Sequence, residues 1–186
     1  EETQDADGSY NLGWMLAGEW LEYTVNATGG YRDIHARVAS GNPLPGDLRV
    51  KLNGVTLGTF DVTNTGDWQD WATLTLTNVP LVSVTNGILR LEVVNAGAGD
   101  QFNLNWIEFA ASANPPIPVI STAAAGGEII LTWPTVNGWE YQVEYKTNLN
   151  QVSWQLLQSM GAATGNSMSF TNSLAAPERY FRIREK

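Results

Sequence analysis

Residues Glu19 to Ala39 read EWLEYTVNATGGYRDIHARVA. Successive side chains of an extended strand point to opposite faces, so Leu21, Tyr23 and Val25 share one face and leave Trp20, Glu22 and Thr24 on the other. Beyond the NATGG break, His35 alternates with Asp33 and Arg37 on a polar face. Apolar and polar faces at period two, separated by turn residues, are the signature of antiparallel strands with one side in water.

The same signature recurs in both directions along the chain. LRVKLNG, TLGTFDV, WATLTLT, GILRLEVV and FNLNWIEF follow, punctuated by SGNPLPGD and NTGD, and no segment carries a helical period. In WATLTL, Ala72, Leu74 and Leu76 share a face, and Trp71 sits with Thr73 and Thr75. A break comes at ASANPPIPVIS, where three prolines remove ladder donors and favour an extended linker. Beyond it EIILTW, EYQVEYKT, WQLLQSM, SMSFTN and RYFRIRE read as five more strands, with Trp133, Tyr145, Trp154 and Tyr180 as core aromatics. The expected fold is all-β: a β-sandwich over residues 1–112, a Pro-rich linker at 113–118 and a smaller β-sandwich over 119–186.

The composition of these 186 residues excludes several functions. There is no cysteine, hence no disulfide framework and no thiolate chemistry. Residues 1–112 hold 14 acidic and 5 basic side chains and 113–186 hold 5 of each, so the net charge of −9 belongs to the first part. A phosphate backbone would be repelled, which argues against nucleic acid, and no apolar run approaches the ~20 residues that membrane insertion by a helix needs.

Catalytic patterns are weak. Glu19 with Glu22 and Asp67 with Asp70 are carboxylate pairs, but acids are common here and read first as solvated strand and loop charges. His35, the only histidine, lies on a polar face without a partner set. GNSMSF has serines without an elbow motif, and the glycine-rich NAGAGD opens no helix, so it is not a phosphate loop. No catalytic residue and no metal ligand is assigned, and the chain is not expected to be an enzyme.

Aromatic residues carry the stronger signal. A sugar ring has an apolar face of C–H groups that stacks on an indole, and hydroxyls that need planar polar partners. Trp14 in NLGWMLAG and Trp68 in TGDW are tryptophans near loops, each following glycine or a Gly-Asp turn.

YNLGWMLAGEWLEYTVNATGGY, HARVASG, TGDWQDWATL and FNLNWIEF, in this order over about residues 1–110, resemble the family 6 carbohydrate-binding modules. The resemblance implies a jelly-roll, lectin-like sandwich that binds a polysaccharide without catalysis, in a fragment of a larger secreted, bacterial polysaccharide-degrading enzyme. It implies that Trp14 and Trp68 hold a sugar between them, that Asn103 bonds its hydroxyls, and that Glu1 or Glu2 contributes a carboxylate. The parity of Trp20 and Trp71, together with Glu22, raises a second sugar platform; the alternative is cover by another domain, loop or strand. The resemblance further implies an additional first strand, from upstream in the parent chain or from another chain, and a structural calcium for which Asn105 stands in place of a frequent Asp. The expected ligand is a neutral poly- or oligosaccharide, met outside the cell or on its surface, and no carboxylate pair is expected to flank the cleft at glycosidase spacing. The alternative function is a structural or adhesive surface protein that keeps the fold without sugar binding. The second sandwich resembles a fibronectin type III-like or immunoglobulin-like spacer.

Overall fold

The structure is a computed structural model describing residues 1–6, 10–114, 116, 119–175 and 178–186. Its described residues form thirteen strands and no helix. The chain divides into two compact units, Glu1–Pro115 and Pro116–Lys186. Of the proline-rich run expected as a linker, Pro115, Ile117 and Pro118 lie outside the described residues.

In the first unit the strands are β1 (Trp20–Ala27), β2 (Gly30–Ala39), β3 (Asp47–Leu52), β4 (Val55–Phe60), β5 (Trp71–Leu81), β6 (Val84–Val94) and β7 (Asn103–Ala111). They form a four-stranded sheet ordered β1-β6-β3-β4 and a three-stranded sheet ordered β5-β2-β7, with every pairing antiparallel. Alternation decides which residues enter the core. Leu48 and Val50 of β3, Leu91 and Val93 of β6, and Ile34, Ala36 and Val38 of β2 are all at most 1% exposed. Each large aliphatic buried this way is worth about 1.5–3 kcal/mol of transfer free energy before chain entropy is counted.

The two sides of this sandwich differ. Where β4 meets β5 the sheets close: a Cβ added at Gly58 would lie 2.5 Å from Cδ1 of Leu76, so a larger residue there would displace that side chain. Where β1 and β7 form the other edges, a groove of about 310 Å³ stays open, lined by Val25, Ala27, Leu52, Leu81, Leu89 and Phe109. Tyr23 pairs with Leu89 and so has core parity, yet it is 49% exposed because its strand is an edge. Leu21 and Val25 of the same strand do pack against the core.

The second unit holds β8 (Ser121–Ala125), β9 (Glu128–Pro134), β10 (Glu140–Lys146), β11 (Gln155–Ala162), β12 (Ser167–Ser173) and β13 (Tyr180–Glu185) in sheets ordered β12-β9-β8 and β11-β10-β13. Strand β8 has no counterpart in the sequence reading, since STAAA shows no alternation and all five residues are exposed. Trp133 is buried as expected, but Tyr145, Trp154 and Tyr180 are only half-buried, and Trp139, Tyr141 and Val143 fill the core instead. Trp154 lies outside it because its ring packs against two cations, Lys146 at 5.0 Å and Arg182 at 4.7 Å.

Candidate functional site

The floor of the site is built by a bulge. Strand β7 pairs Trp106 with Arg37 but Leu104 with Val38, so Asn105 is an extra residue. The bulge lets Leu104 and Ile107 both face the core and leaves Asn103, 3% exposed, at the end of the strand opposite Ala39. Leu12 and Leu104 exchange backbone hydrogen bonds of 2.9 Å in both directions, which ties the NLGWM segment to that strand end. Gly13 packs close to that amide: a Cβ there would stand 3.3 Å from Oδ1 of Asn103, so a larger residue would press on it.

Trp14 follows with φ of 55°, a left-handed conformation that costs a non-glycine residue about 1 kcal/mol or more. The next residue, Met15, is 2% exposed and its carbonyl accepts Gln101 N–H at 2.8 Å. Anchored at Met15 and turned at its own φ, Trp14 is 63% exposed.

Trp68 arrives from the TGD turn. Thr65 N–H donates to the Ser40 carbonyl and Ser40 N–H to Thr65 Oγ1, Gly66 N–H donates to Asn64 Oδ1, and Trp68 N–H donates to Asp67 Oδ1 at 2.6 Å. The indole lies against Gly41, where an added Cβ would be 2.8 Å from Nε1. It is therefore half-buried. Asn103 Nδ2 donates to the Trp68 carbonyl at 2.7 Å and links the two loops to the strand.

Glu1, Trp14, Trp68, Asp100 and Asn103 together line one cleft of about 150 Å³. Of the two competing N-terminal acids it is Glu1 that reaches it. Its Oε1 accepts Nδ2 of Asn103 at 2.8 Å, Nε2 of Gln69 at 2.8 Å and Nδ2 of Asn11 at 3.4 Å. Glu2 is not among the lining residues and forms a β-bridge with Tyr10 instead. Asp100 is the residue that sequence reasoning missed. It closes the NAGAGD loop that was set aside as a phosphate loop. Buried Gln101 fixes that loop by accepting Gly46 N–H at 2.9 Å and donating to the Gly97 carbonyl at 3.2 Å.

The second platform does not assemble as one site. Trp20 and Glu22 lie in β1 of the four-stranded sheet and Trp71 in β5 of the other sheet, so their outward faces point away from one another. Trp71 serves the cleft indirectly, since its Nε1 donates to Gln69 Oε1 at 3.2 Å and Gln69 holds Glu1. Trp20 is 50% exposed with the Arg90 guanidinium 4.2 Å from its ring centroid. A shallow depression of about 550 Å³ runs from Leu12 and Trp14 to Glu19 and Trp20.

Around Trp20 the outer face of the sheet is a charge network. Glu92, 8% exposed, accepts Nε of Arg49 at 2.7 Å, Nζ of Lys51 at 3.1 Å and Nε of Arg90 at 2.6 Å, and Glu22 accepts Nη1 of Arg90 at 3.1 Å. Burial alone would push the Glu92 carboxyl up, but the hydrogen bonds from Arg49, Lys51 and Arg90 outweigh it and hold the pKa at about 2.

The other candidate acids have local duties. Glu19 Oε2 caps Leu16 N–H at 2.8 Å, Asp67 serves the Trp68 turn, and His35 Nδ1 meets Thr75 Oγ1 at 2.8 Å on the sheet face. For calcium the residues present fit poorly. Asn105 donates Nδ2 to Asp5 at 3.0 Å, and Arg37 holds the same carboxylate at 2.6 Å and well below the usual carboxylate range, so the acid beside Asn105 is already engaged by a guanidinium and an amide. No group of three or more His, Cys, Asp or Glu that could hold a metal exists among the described residues.

A β-sandwich whose loops bring two indoles, an amide and two carboxylates to one cleft defines a lectin-like sugar-binding module. Residues 1–111 match the carbohydrate binding module (family 6), and the chain belongs to that family of non-catalytic binding modules. A β-1,3-glucan binding family 6 module from Bacillus halodurans is 35% identical with a TM-score of 0.54, over 60% of this chain and 84% of that one. The module CBM6cm-2 of Cellvibrio mixtus lichenase 5A, solved in complex with cellotriose, is 35% identical with a TM-score of 0.52, over 60% and 85%. The clotting factor G alpha subunit of Tachypleus tridentatus is 35% identical over 113 residues, 58% of this chain and 16% of that protein. The chain thus spans about a sixth of the length of this curated relative.

Proposed function

We propose that the first unit binds a neutral polysaccharide of the β-glucan class by holding a sugar between Trp14 and Trp68, with Asn103 and Glu1 ordering its hydroxyls. The observation that carries this reading is the convergence of these four residues on one cleft. Two relatives support the ligand class, one described as binding β-1,3-glucan and one solved with cellotriose. Stacking supplies most of the affinity and polar contacts supply orientation, so dissociation constants fall at about 10–100 µM, or about −5.5 to −7 kcal/mol. Trp20, reached from Trp14 along the shallow depression and flanked by Glu22, would lengthen the contact for a longer chain.

The reading extends to the parent protein. The module acts outside the cell or on its surface, targeting a polysaccharide-degrading enzyme to its substrate, and the second unit is a fibronectin type III-like spacer. An extended strand with alternating apolar residues, from the parent chain or another chain, seats along the open edge beside β7 and fills the groove over Leu89 and Phe109. An unpaired edge over an apolar groove is costly in water, which is the physical reason for such a strand.

The test is calorimetric titration of the protein with laminari-oligosaccharides, cello-oligosaccharides, xylan and agarose, beside Trp68→Ala. Binding of at least one neutral glycan, lost in Trp68→Ala, supports the reading. A protein that binds none of them nor a broader glycan array is a structural surface protein instead.

A further inference from the structure

The side-chain amide donors at the cleft are already committed. Asn103 has two amide N–H groups, and both are spent, one on Glu1 Oε1 and one on the Trp68 carbonyl, which leaves only Oδ1 for a ligand. Gln69, the nearest other amide, is likewise committed to Glu1 Oε1 and Asn11 Oδ1. Oε1 of Glu1 is saturated by three amide donors, so Oε2 is its available oxygen. Asp100 adds a second carboxylate, and among the described residues no hydrogen bond or ion pair engages it. Asn42 Nδ2 holds the Asp100 backbone carbonyl at 2.8 Å and fixes its place without using its side chain.

A site walled by two indoles and offering carboxylate and amide oxygens has the chemistry of an aromatic-acidic cage for a cation. The π faces attract a cation and the carboxylates pair with it, while an anionic sugar is repelled by both. We propose that Asp100 is a specificity-determining residue that, with Glu1, makes the cleft prefer sugars carrying a protonated amine, such as 2-amino-2-deoxyglucose units, over their neutral counterparts. This rests on the sugar-binding reading above and goes beyond its neutral ligand in ranking an amine-bearing sugar above the neutral sugar of the same ring framework. A neutral glucan offers the oxygens of the cleft hydroxyl donors alone; replacing one hydroxyl by an ammonium adds donors and charge at the same place in the ring.

The experiment compares cellotriose with its triamino analogue, the β-1,4-linked glucosamine trimer, at about pH 5.5, where a sugar ammonium is charged. The expected result is binding of the amino trimer tighter by about fivefold or more, with the advantage shrinking at high salt and collapsing to near unity in Asp100→Asn. A melting curve of Asp100→Asn that matches the parent shows that the variant is folded, and the ratio of the two trimers' affinities, not either affinity alone, is the readout. If cellotriose binds but the amino trimer has no advantage, or keeps it in Asp100→Asn, the inference is overturned and the sugar-binding reading stands. If neither trimer nor any neutral glycan binds, both fall together.

Discussion

Two tryptophan-bearing surfaces of the same sandwich make opposite use of similar residues. At the cleft, Trp14 and Trp68 share a lining with Glu1, Asn103 and Asp100, and the amide donors turn inward to hold the carboxylate. On the outer face of the four-stranded sheet, Trp20 carries Arg90 on its ring, and Glu92 pairs with Arg49, Lys51 and Arg90. The first surface leaves oxygens and indole faces uncommitted; the second has spent its charges on itself. An exposed indole is therefore expected to be a principal sugar contact where the groups around it still have hydrogen-bonding capacity, and at most an auxiliary one where they do not.

The sharpest way to break this contrast is to remove the cleft indoles. Trp68→Ala and Trp14→Ala should each weaken oligosaccharide binding by about thirtyfold or more, on the order of 2 kcal/mol, with the thermal midpoint nearly unchanged for Trp68→Ala. Calorimetry beside a melting curve separates the two effects, and a loss of binding under threefold would return these residues to ordinary surface packing.

The charge network should govern stability and not binding. Glu92 has its carboxyl at about 2 against an ordinary 4.5, a depressed value, so its contribution is present above about pH 4.5 and is lost as pH falls toward 2. Glu92→Gln should cost about 1–2 kcal/mol near neutral pH and flatten the acid limb of a stability-pH curve, with sugar affinity unchanged. Asp5, also depressed, chiefly by its hydrogen bonds from Arg37, loses its share in the same acidic direction and contributes to what remains of that limb.

A finer probe is Gly41→Ala. The added methyl meets the Trp68 indole at 2.8 Å, so the ring must shift and affinity should fall by about threefold to tenfold in a protein that still folds. Smallest of all is Trp20→Ala: trisaccharide binding unchanged, and binding of long polysaccharide weakened by less than about threefold. A larger drop would show that the depression from Trp14 to Trp20 is a principal contact.

Strand identity and face were legible in the sequence because they depend on local alternation. All seven strands of the first unit carry that pattern, and Trp20 and Trp71 do lie outside the core. What parity could not convey was which sheet each strand joins, and so Trp20 and Trp71 were grouped although they lie in different sheets. Trp14, Trp68 and Asn103 were legible through short motifs. Asp100 was not, because its placement depends on Asn42 and on the bond from Gly46 to its neighbour Gln101, which hold its loop from positions far along the chain. Gly41 was equally silent, since a glycine that seats an indole looks like any turn glycine until the contact is seen.

The left-handed backbone at Trp14 has a consequence for how such a module can evolve. Glycine or asparagine at position 14 would relax that conformation and make the fold more stable, by about 1 kcal/mol for glycine, while discarding one wall of the cleft. Selection for stability and selection for ligand thus pull in opposite directions at one residue. A lineage that stopped needing its sugar would be expected to lose this tryptophan early, and position 14 would then report whether a relative of this fold still has a working cleft.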